Sequence, residues 1–202
     1  MFDYDGVIAD SQEILFDNFK KACHTHQYQV FDSMESFLDM FDKNFYESLM
    51  DRGVPAEGIT MICKSLSENL ALCKTPMKFF ADTPEMLSEL ARNNIVIIIT
   101  SSISRAVEQN LQENNIKGVR DVIGAEKETN KVKKITRSMQ DYPDGSYYYI
   151  GDTKGDIIEG RKAGVKTIGV SWGWHGREKL QQANPDYLVD TPAELLAIFE
   201  KI

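Results

Sequence analysis

The chain has 202 residues, of which 42% are apolar and 27% charged, a balance that lets a globular chain bury a core and a length that suits one domain with a modest insertion. Its formal net charge of -8 is opposite in sign to that of proteins that grip nucleic-acid backbones or anionic membranes, yet it leaves room for a small phosphorylated ligand held by a local field. Cys23, Cys63 and Cys73 form no disulfide framework or zinc spacing, and no run approaches the ~20 apolar residues of a membrane span.

In chain order, Met1-Phe2 is a stub of strand that runs into a turn at Asp5-Gly6. Asp3 and Asp5 stand where a basic and then apolar leader would be, so no secretory leader is expected and the cytoplasm is the expected location. Residues 11–78 read as helices only. Ile14, Leu15, Phe19 and Ala22 fit one stripe, and Phe37, Leu38, Phe41, Phe45, Leu49 and Met50 continue the same period as a second helix. Gly53-Val54-Pro55 breaks it, and a third helix runs from about Ala56 to Leu72, giving a three-helix bundle with its own core. His24 and His26 lie in this stretch without partners that would suggest a metal site.

From residue 79 helices and strands alternate. Thr83-Pro84 opens a helix to about Asn93, with Pro at its first position. Ile95–Ile99 is apolar without alternation, as a parallel strand covered on both faces would be. A helix from Ser104 to Glu113, a strand over Val119–Gly124 and a helix from Lys131 to about Gln140, capped by Thr129 or Asn130, follow. Then come a strand over Ser146–Ile150, a helix over Asp156–Ala163, strands over Lys166–Val170 and Tyr187–Val189, and a helix from Pro192 to Phe199. Alternation of this kind predicts βαβ units, a mostly parallel sheet and an α/β/α sandwich of the Rossmann-like type.

In such sheets the ligand lies at the carboxyl ends of the strands, and four of those ends carry complementary polar groups. They are Asp3 with Asp5, then Thr100-Ser101, then Lys131 at a helix start, then Asp152 with Asp156 four residues on. Converging carboxylates require a cation, and hard oxygen ligands suit Mg²⁺. Hydroxyl, backbone N–H and lysine together can hold a phosphate. An aspartate in line with phosphorus is a competent nucleophile, and a carboxyl two residues away can donate a proton to the leaving oxygen.

This quartet resembles the haloacid-dehalogenase-like superfamily of phosphohydrolases. Residues 2–11, Phe-Asp-Tyr-Asp-Gly-Val-Ile-Ala-Asp-Ser, match its first motif, Ile97–Ser101 looks like the second, Lys131 the third, and Gly151–Asp156 the fourth. Ala163–Val170 followed by Trp172-Gly173, and Pro185-Asp186-Tyr187 with Thr191–Leu196, are similar to the phosphoglycolate-phosphatase-like branch. The resemblance implies a catalytic core of residues 1–10 and 79–202 and a helical cap of 11–78, tethered near Asp10-Ser11 and Met77-Lys78. It implies Asp3 as nucleophile and metal ligand and Asp5 as general acid/base and metal ligand through its carbonyl. Gly6, Thr100, Ser101 and Lys131 would hold the phosphoryl group, and Asp152 and Asp156 would serve Mg²⁺, the latter directly or through water. Lys127 competes with Lys131 for the third motif, since no proline follows Lys131.

The activity implied is Mg²⁺-dependent hydrolysis of a small phosphorylated metabolite through an aspartyl-phosphate, by a monomer or weak homodimer. A phosphomutase of the β-phosphoglucomutase type and a non-catalytic binding protein are the alternatives. An acid at position 5 fits phosphoester cleavage, where the leaving alkoxide must be protonated. His175 is read as surface packing near the rim. Only Met1 and Phe2 precede Asp3, so the first strand is expected either to be very short or to lack residues at its start.

Overall fold

The computed structural model describes residues 1–201, and the expected α/β class holds. Five elements form a parallel sheet. Strands β3 (Val96–Ile99) and β4 (Val119–Ile123) pair on one side, and β5 (Tyr148–Gly151), β6 (Lys166–Val170) and β7 (Tyr187–Val189) pair in that order on the other. Phe2 joins the two halves by parallel bridges to Ile98 and Ile150. Its N–H donates to Ile97 O at 2.8 Å and its C=O accepts from Ile99 N at 2.8 Å, while Asp3 N donates to Ile150 O at 2.8 Å. Two or three residues thus occupy the middle of the sheet, and the carbon end of this short central segment is Asp3.

Alternate side chains of each strand enter different cores, as a pleated strand requires. Ile98, Tyr148 and Ile150 pack with helices α5 (Thr83–Leu90), α6 (Ser104–Glu113) and α10 (Pro192–Phe199) through Met86, Leu87, Val107, Leu111 and Leu195. Ile97, Ile99 and Tyr149 face the other way, onto Ile135 of α7 (Lys131–Asp141). Helix α8 (Lys154–Ala163) packs beside α7 and, through Ile157, onto Leu180 of α9 (Gly176–Gln182). Helix α9 escapes a hydrophobic-pattern reading because Leu180 is its single buried residue.

The helical stretch over residues 12–72 has a separate core. Helix α1 (Gln12–Thr25) packs on α4 (Ala56–Leu72), and Phe19, Phe31, Phe37, Met40, Leu49 and Ile62 gather between the helices. The expected single middle helix is a correction: the chain forms α2 (Met34–Leu38), a 3₁₀ turn (Asp39–Asp42) and α3 (Phe45–Asp51). Lys43 is extended, and the Asn44 side chain accepts from the N–H groups of Tyr46 and Glu47, so a polar cap starts a new helix inside a continuous apolar period. The two connections expected as plain tethers are paired strands. β1 (Ala9–Asp10) runs antiparallel to β2 (Lys78–Phe79), with Ala9 opposite Phe79 and Asp10 opposite Lys78. No helix among the described residues is long and apolar enough to cross a membrane.

Candidate active site

The carboxyl ends of the central segment, β3 and β5 meet above α7 and α8, and the predicted residues meet there too. Asn130 caps α7 by accepting from Lys133 N, which starts the helix at Lys131 and turns its side chain to the sheet. The Lys131 ammonium donates to Asp3 Oδ2 at 2.5 Å and to Asp156 Oδ1 at 2.7 Å. Lys127, the competitor, donates instead to Val122 O at 2.7 Å and pairs with Asp121 at 3.6 Å. Spacing alone could not separate the two lysines, and the positions of their ammonium groups do.

Asp156 is fixed by its own helix. Thr153 caps α8 by accepting from Asp156 N, and Asp156 Oδ2 accepts from the Thr153 N–H at 3.1 Å and hydroxyl at 2.6 Å, a reciprocal box. Asp152, fully buried, accepts through Oδ2 from Trp174 N at 2.7 Å, while its Oδ1 has no partner among the described residues. Gly6, at φ +79°, and Gly173 both lie where a Cβ would collide with Asp152, so that loop closure over the carboxylate demands glycine at both positions. Asp3, Asp152 and Asp156 each offer an oxygen within 4.8 Å of the others.

Burial dominates the electrostatics. It pushes the Asp3 carboxyl up to about 8, against the pull of Lys131, and raises Asp152 well above the carboxylate range, helped by Asp156 and Asp3. Asp156 is also desolvated, yet Lys131 and the Thr153 donors hold it below its usual value. Lys131 stays charged because the same carboxylates outweigh its burial. One lysine faces three buried carboxylates, and Asp152 offers an oxygen without a partner among the described residues, a set that would suit a hard cation. The donor set therefore fits a divalent metal with oxygen preference.

Asp5 stands beside this group. Burial raises its carboxyl, opposed by the Ser102 hydroxyl, which donates to Asp5 Oδ2 at 2.6 Å. Ser102 was not singled out by sequence reasoning, although the Thr100-Ser101-Ser102 run after a strand was a signal for it. Ser101 and Ser102 line the cavity, whereas Thr100 is fully buried behind them and its hydroxyl accepts from Ser102 N at 3.0 Å. Lys134, another residue missed, is buried one turn after Lys131 and donates to Thr100 O at 2.5 Å. Burial lowers its ammonium to about 8.

The cavity above Asp3 is bounded on the far side by α1, α4 and the 37–45 stretch. That stretch is held to the sheet side by polar contacts. Lys154 reaches Asp42 at 3.1 Å, Lys179 reaches Asp39 at 2.7 Å and Asp42 at 2.8 Å, and Asn44 donates to Glu159 at 2.8 Å. His175 corrects the surface reading. It is buried, its Nδ1 accepts from Lys154 N at 3.0 Å and its Nε2 faces Leu38 O at 2.9 Å, which makes Nε2 the protonated nitrogen.

A family model for haloacid dehalogenase-like hydrolases matches residues 1–170. The chain belongs to that family. Among curated proteins it is 26% identical over 211 residues to pyrophosphatase PpaX of Bacillus mycoides, covering all of this chain and 96% of the relative. It is 22% identical to phosphoglycolate phosphatase of Synechococcus elongatus, covering 97% of this chain and 94% of the relative. Among solved structures, a predicted phosphatase from Clostridium acetobutylicum superposes with a TM-score of 0.85 at 22% identity, over 100% of this chain and 97% of that one. This last likeness speaks for the fold.

Proposed function

We propose that the chain is a Mg²⁺-dependent phosphatase that cleaves a small phosphate monoester through an aspartyl-phosphate on Asp3. The observation that carries this reading is the junction of Lys131 with Asp3 and Asp156 beside a buried Asp152 whose Oδ1 has no partner. The names of the curated relatives, a pyrophosphatase and a phosphoglycolate phosphatase, support the reaction class. We further propose that residues 1–10 and 79–202 act as the catalytic core and 11–78 as a cap.

Asp3, Asp152, Asp156 and the Asp5 carbonyl would hold the ion, whose chemistry is to neutralise phosphate charge and orient the phosphoryl group for in-line attack. Lys131 offsets the charge on Asp3 and on the phosphoryl oxygens, with Ser101 and the Gly6 turn alongside. Thr100, buried beneath, supports these groups through Ser102. An Asp3 oxygen bonds to phosphorus as the P–O bond to the leaving alcohol breaks, and Asp5 delivers its proton to that oxygen. Asp5, now a carboxylate, then takes a proton from water as the water oxygen attacks phosphorus. This releases inorganic phosphate and restores Asp3. A carboxyl raised by burial suits the first role, and the Ser102 hydrogen bond, which favours the ionised form, suits the second.

The test is phosphate release from a panel of small esters, with and without Mg²⁺, by the native chain and by Asp3→Asn. Mg²⁺-dependent turnover that the substitution abolishes is expected. Turnover that survives in Asp3→Asn would overturn the covalent mechanism.

A further inference from the structure

The proposed reaction leaves the alcohol side of the substrate unspecified, and the cavity wall constrains it. Opposite Asp3 and Asp5 the lining is aromatic: Phe19, Phe37, Phe41, Phe45 and Trp174, with Leu66. These rings brace one another. Phe41 stacks on Phe45 at 5.4 Å between centroids and meets Trp174 edge-on at 4.8 Å, and Phe37 meets Phe41 edge-on at 5.3 Å. A wall so cross-braced is preformed, and it offers ring faces and edges to a bound group.

Charge on the lining points the same way. Two lining residues are cationic, Lys43 and Lys131, against the four acids Asp3, Asp5, Asp156 and Glu159. Lys131 is engaged by Asp3 and Asp156, and Lys43 pairs with Asp51 outside the cavity. The amide of Asn44 is also spoken for, donating to Glu159 and accepting from Tyr46 N and Glu47 N. The phosphoryl group itself would draw on Lys131 and the cation. A second anionic group on the substrate would find no free cation among the described lining residues. It would also have to shed water against aromatic rings and beside Glu159.

Resting on the phosphatase reading, we infer that the substrate is a monophosphate ester of an uncharged alcohol that carries a flat apolar face. Binding rests on ring contact and shape, and esters whose leaving group is a phosphate or bears a carboxylate are rejected. This chain therefore parts company with the substrates that its relatives' names carry.

The experiment compares kcat/KM for benzyl phosphate, ethyl phosphate, 2-phosphoglycolate and pyrophosphate with the native chain and Mg²⁺. Benzyl, ethyl and glycolate esters all release a primary alcohol, so differences among them report the pocket. Benzyl phosphate is expected to exceed phosphoglycolate and pyrophosphate by about 100-fold, the scale on which pocket contacts discriminate substrates, with ethyl phosphate between. Phe41→Ala should lower kcat/KM for the benzyl ester about tenfold more than for the ethyl ester. Leu66→Arg, which supplies a cation on the half-buried wall, should narrow the benzyl-to-phosphoglycolate ratio at least about tenfold. Phosphoglycolate or pyrophosphate turned over as well as benzyl phosphate would overturn this inference and leave the phosphatase reading intact. No turnover of any of the four would count against the phosphatase reading itself. The native-chain ratios decide the matter even if a variant fails to fold.

Discussion

Gly155, the second residue of α8, is where the helix end meets the backbone of the 37–45 stretch. A Cβ there would lie 2.8 Å from both Phe41 O and Lys43 O, about 0.6 Å short of ordinary contact. Both obstacles are main-chain atoms, so Gly155→Ala cannot be absorbed by a rotamer change and must push the segment carrying Phe41, Lys43 and Asn44 outward. Helix propensity favours alanine by up to about 1 kcal/mol, while overpacking costs about 1–3 kcal/mol, so net stability should fall by no more than about 3 kcal/mol. Asp3, Asp152 and Lys131 lie outside the displaced segment. Misplacement by 1 Å can cost about 100-fold in rate, so a shift of half that size should lower kcat/KM about tenfold. The assay is kcat/KM on the best ester of the panel beside a thermal melt. Values within about twofold of native with an unchanged melting temperature would refute the idea that this close approach sets the cavity.

Three further outcomes follow from the charges. Without metal, Asp3 is pushed up to about 8 from an unfolded value of 3.8, so its folded form keeps a proton that the unfolded chain releases. That stability is present below the unfolded value and is lost as pH rises through about 8, at most about 1.4 kcal/mol per pH unit. On the proposed reading Mg²⁺ binds the ionised form, so the gain in melting temperature on replacing EDTA with Mg²⁺ should grow across this window; a pH-independent gain would contradict it. Ser102→Ala removes the donor that holds Asp5 down, so the rise of single-turnover dephosphorylation with pH should move to higher pH, and an unmoved profile would deny Asp5 the role of base. Burial lowers Lys134 from 10.5 to about 8, so the folded protein bears a cost for the ammonium below that value and sheds it as pH rises to 10.5. Native stability relative to Lys134→Met should therefore improve over that interval by up to about 3 kcal/mol, measured by urea denaturation, and a flat difference would show that Lys134 titrates normally.

The strands were legible because both sheet faces are covered, which makes Ile97–Ile99 and Tyr148–Ile150 continuous apolar runs rather than alternating ones. The juxtaposition of Asp3, Lys131, Asp152 and Asp156 was legible because a parallel sheet sends its strand ends to one edge. What stayed hidden depended on three-dimensional choices between chemically equal candidates. Lys127 and Lys131 differ only in which oxygens their ammonium groups reach. The Ser102 N–H donates to the Thr100 hydroxyl, with Ser102 at the cavity and Thr100 behind it. The aromatic helix faces read as simple core, and Phe37 and Phe41 do pack there, but the same residues also line the cavity. Periodicity reports burial, and it does not distinguish burial against protein from burial against a bound molecule.

The antiparallel pairing of Ala9–Asp10 with Lys78–Phe79 has a consequence for ancestry. The chain leaves the sheet side and returns to it at adjacent points, so everything between them is an excursion that starts and ends in the same place. A two-residue turn could join Asp10 to Lys78 without altering the path of any later strand. Such a doorway lets one helical excursion be lost, lengthened or exchanged for another while the chemistry beneath is inherited intact, so specificity and reaction can diverge at separate rates.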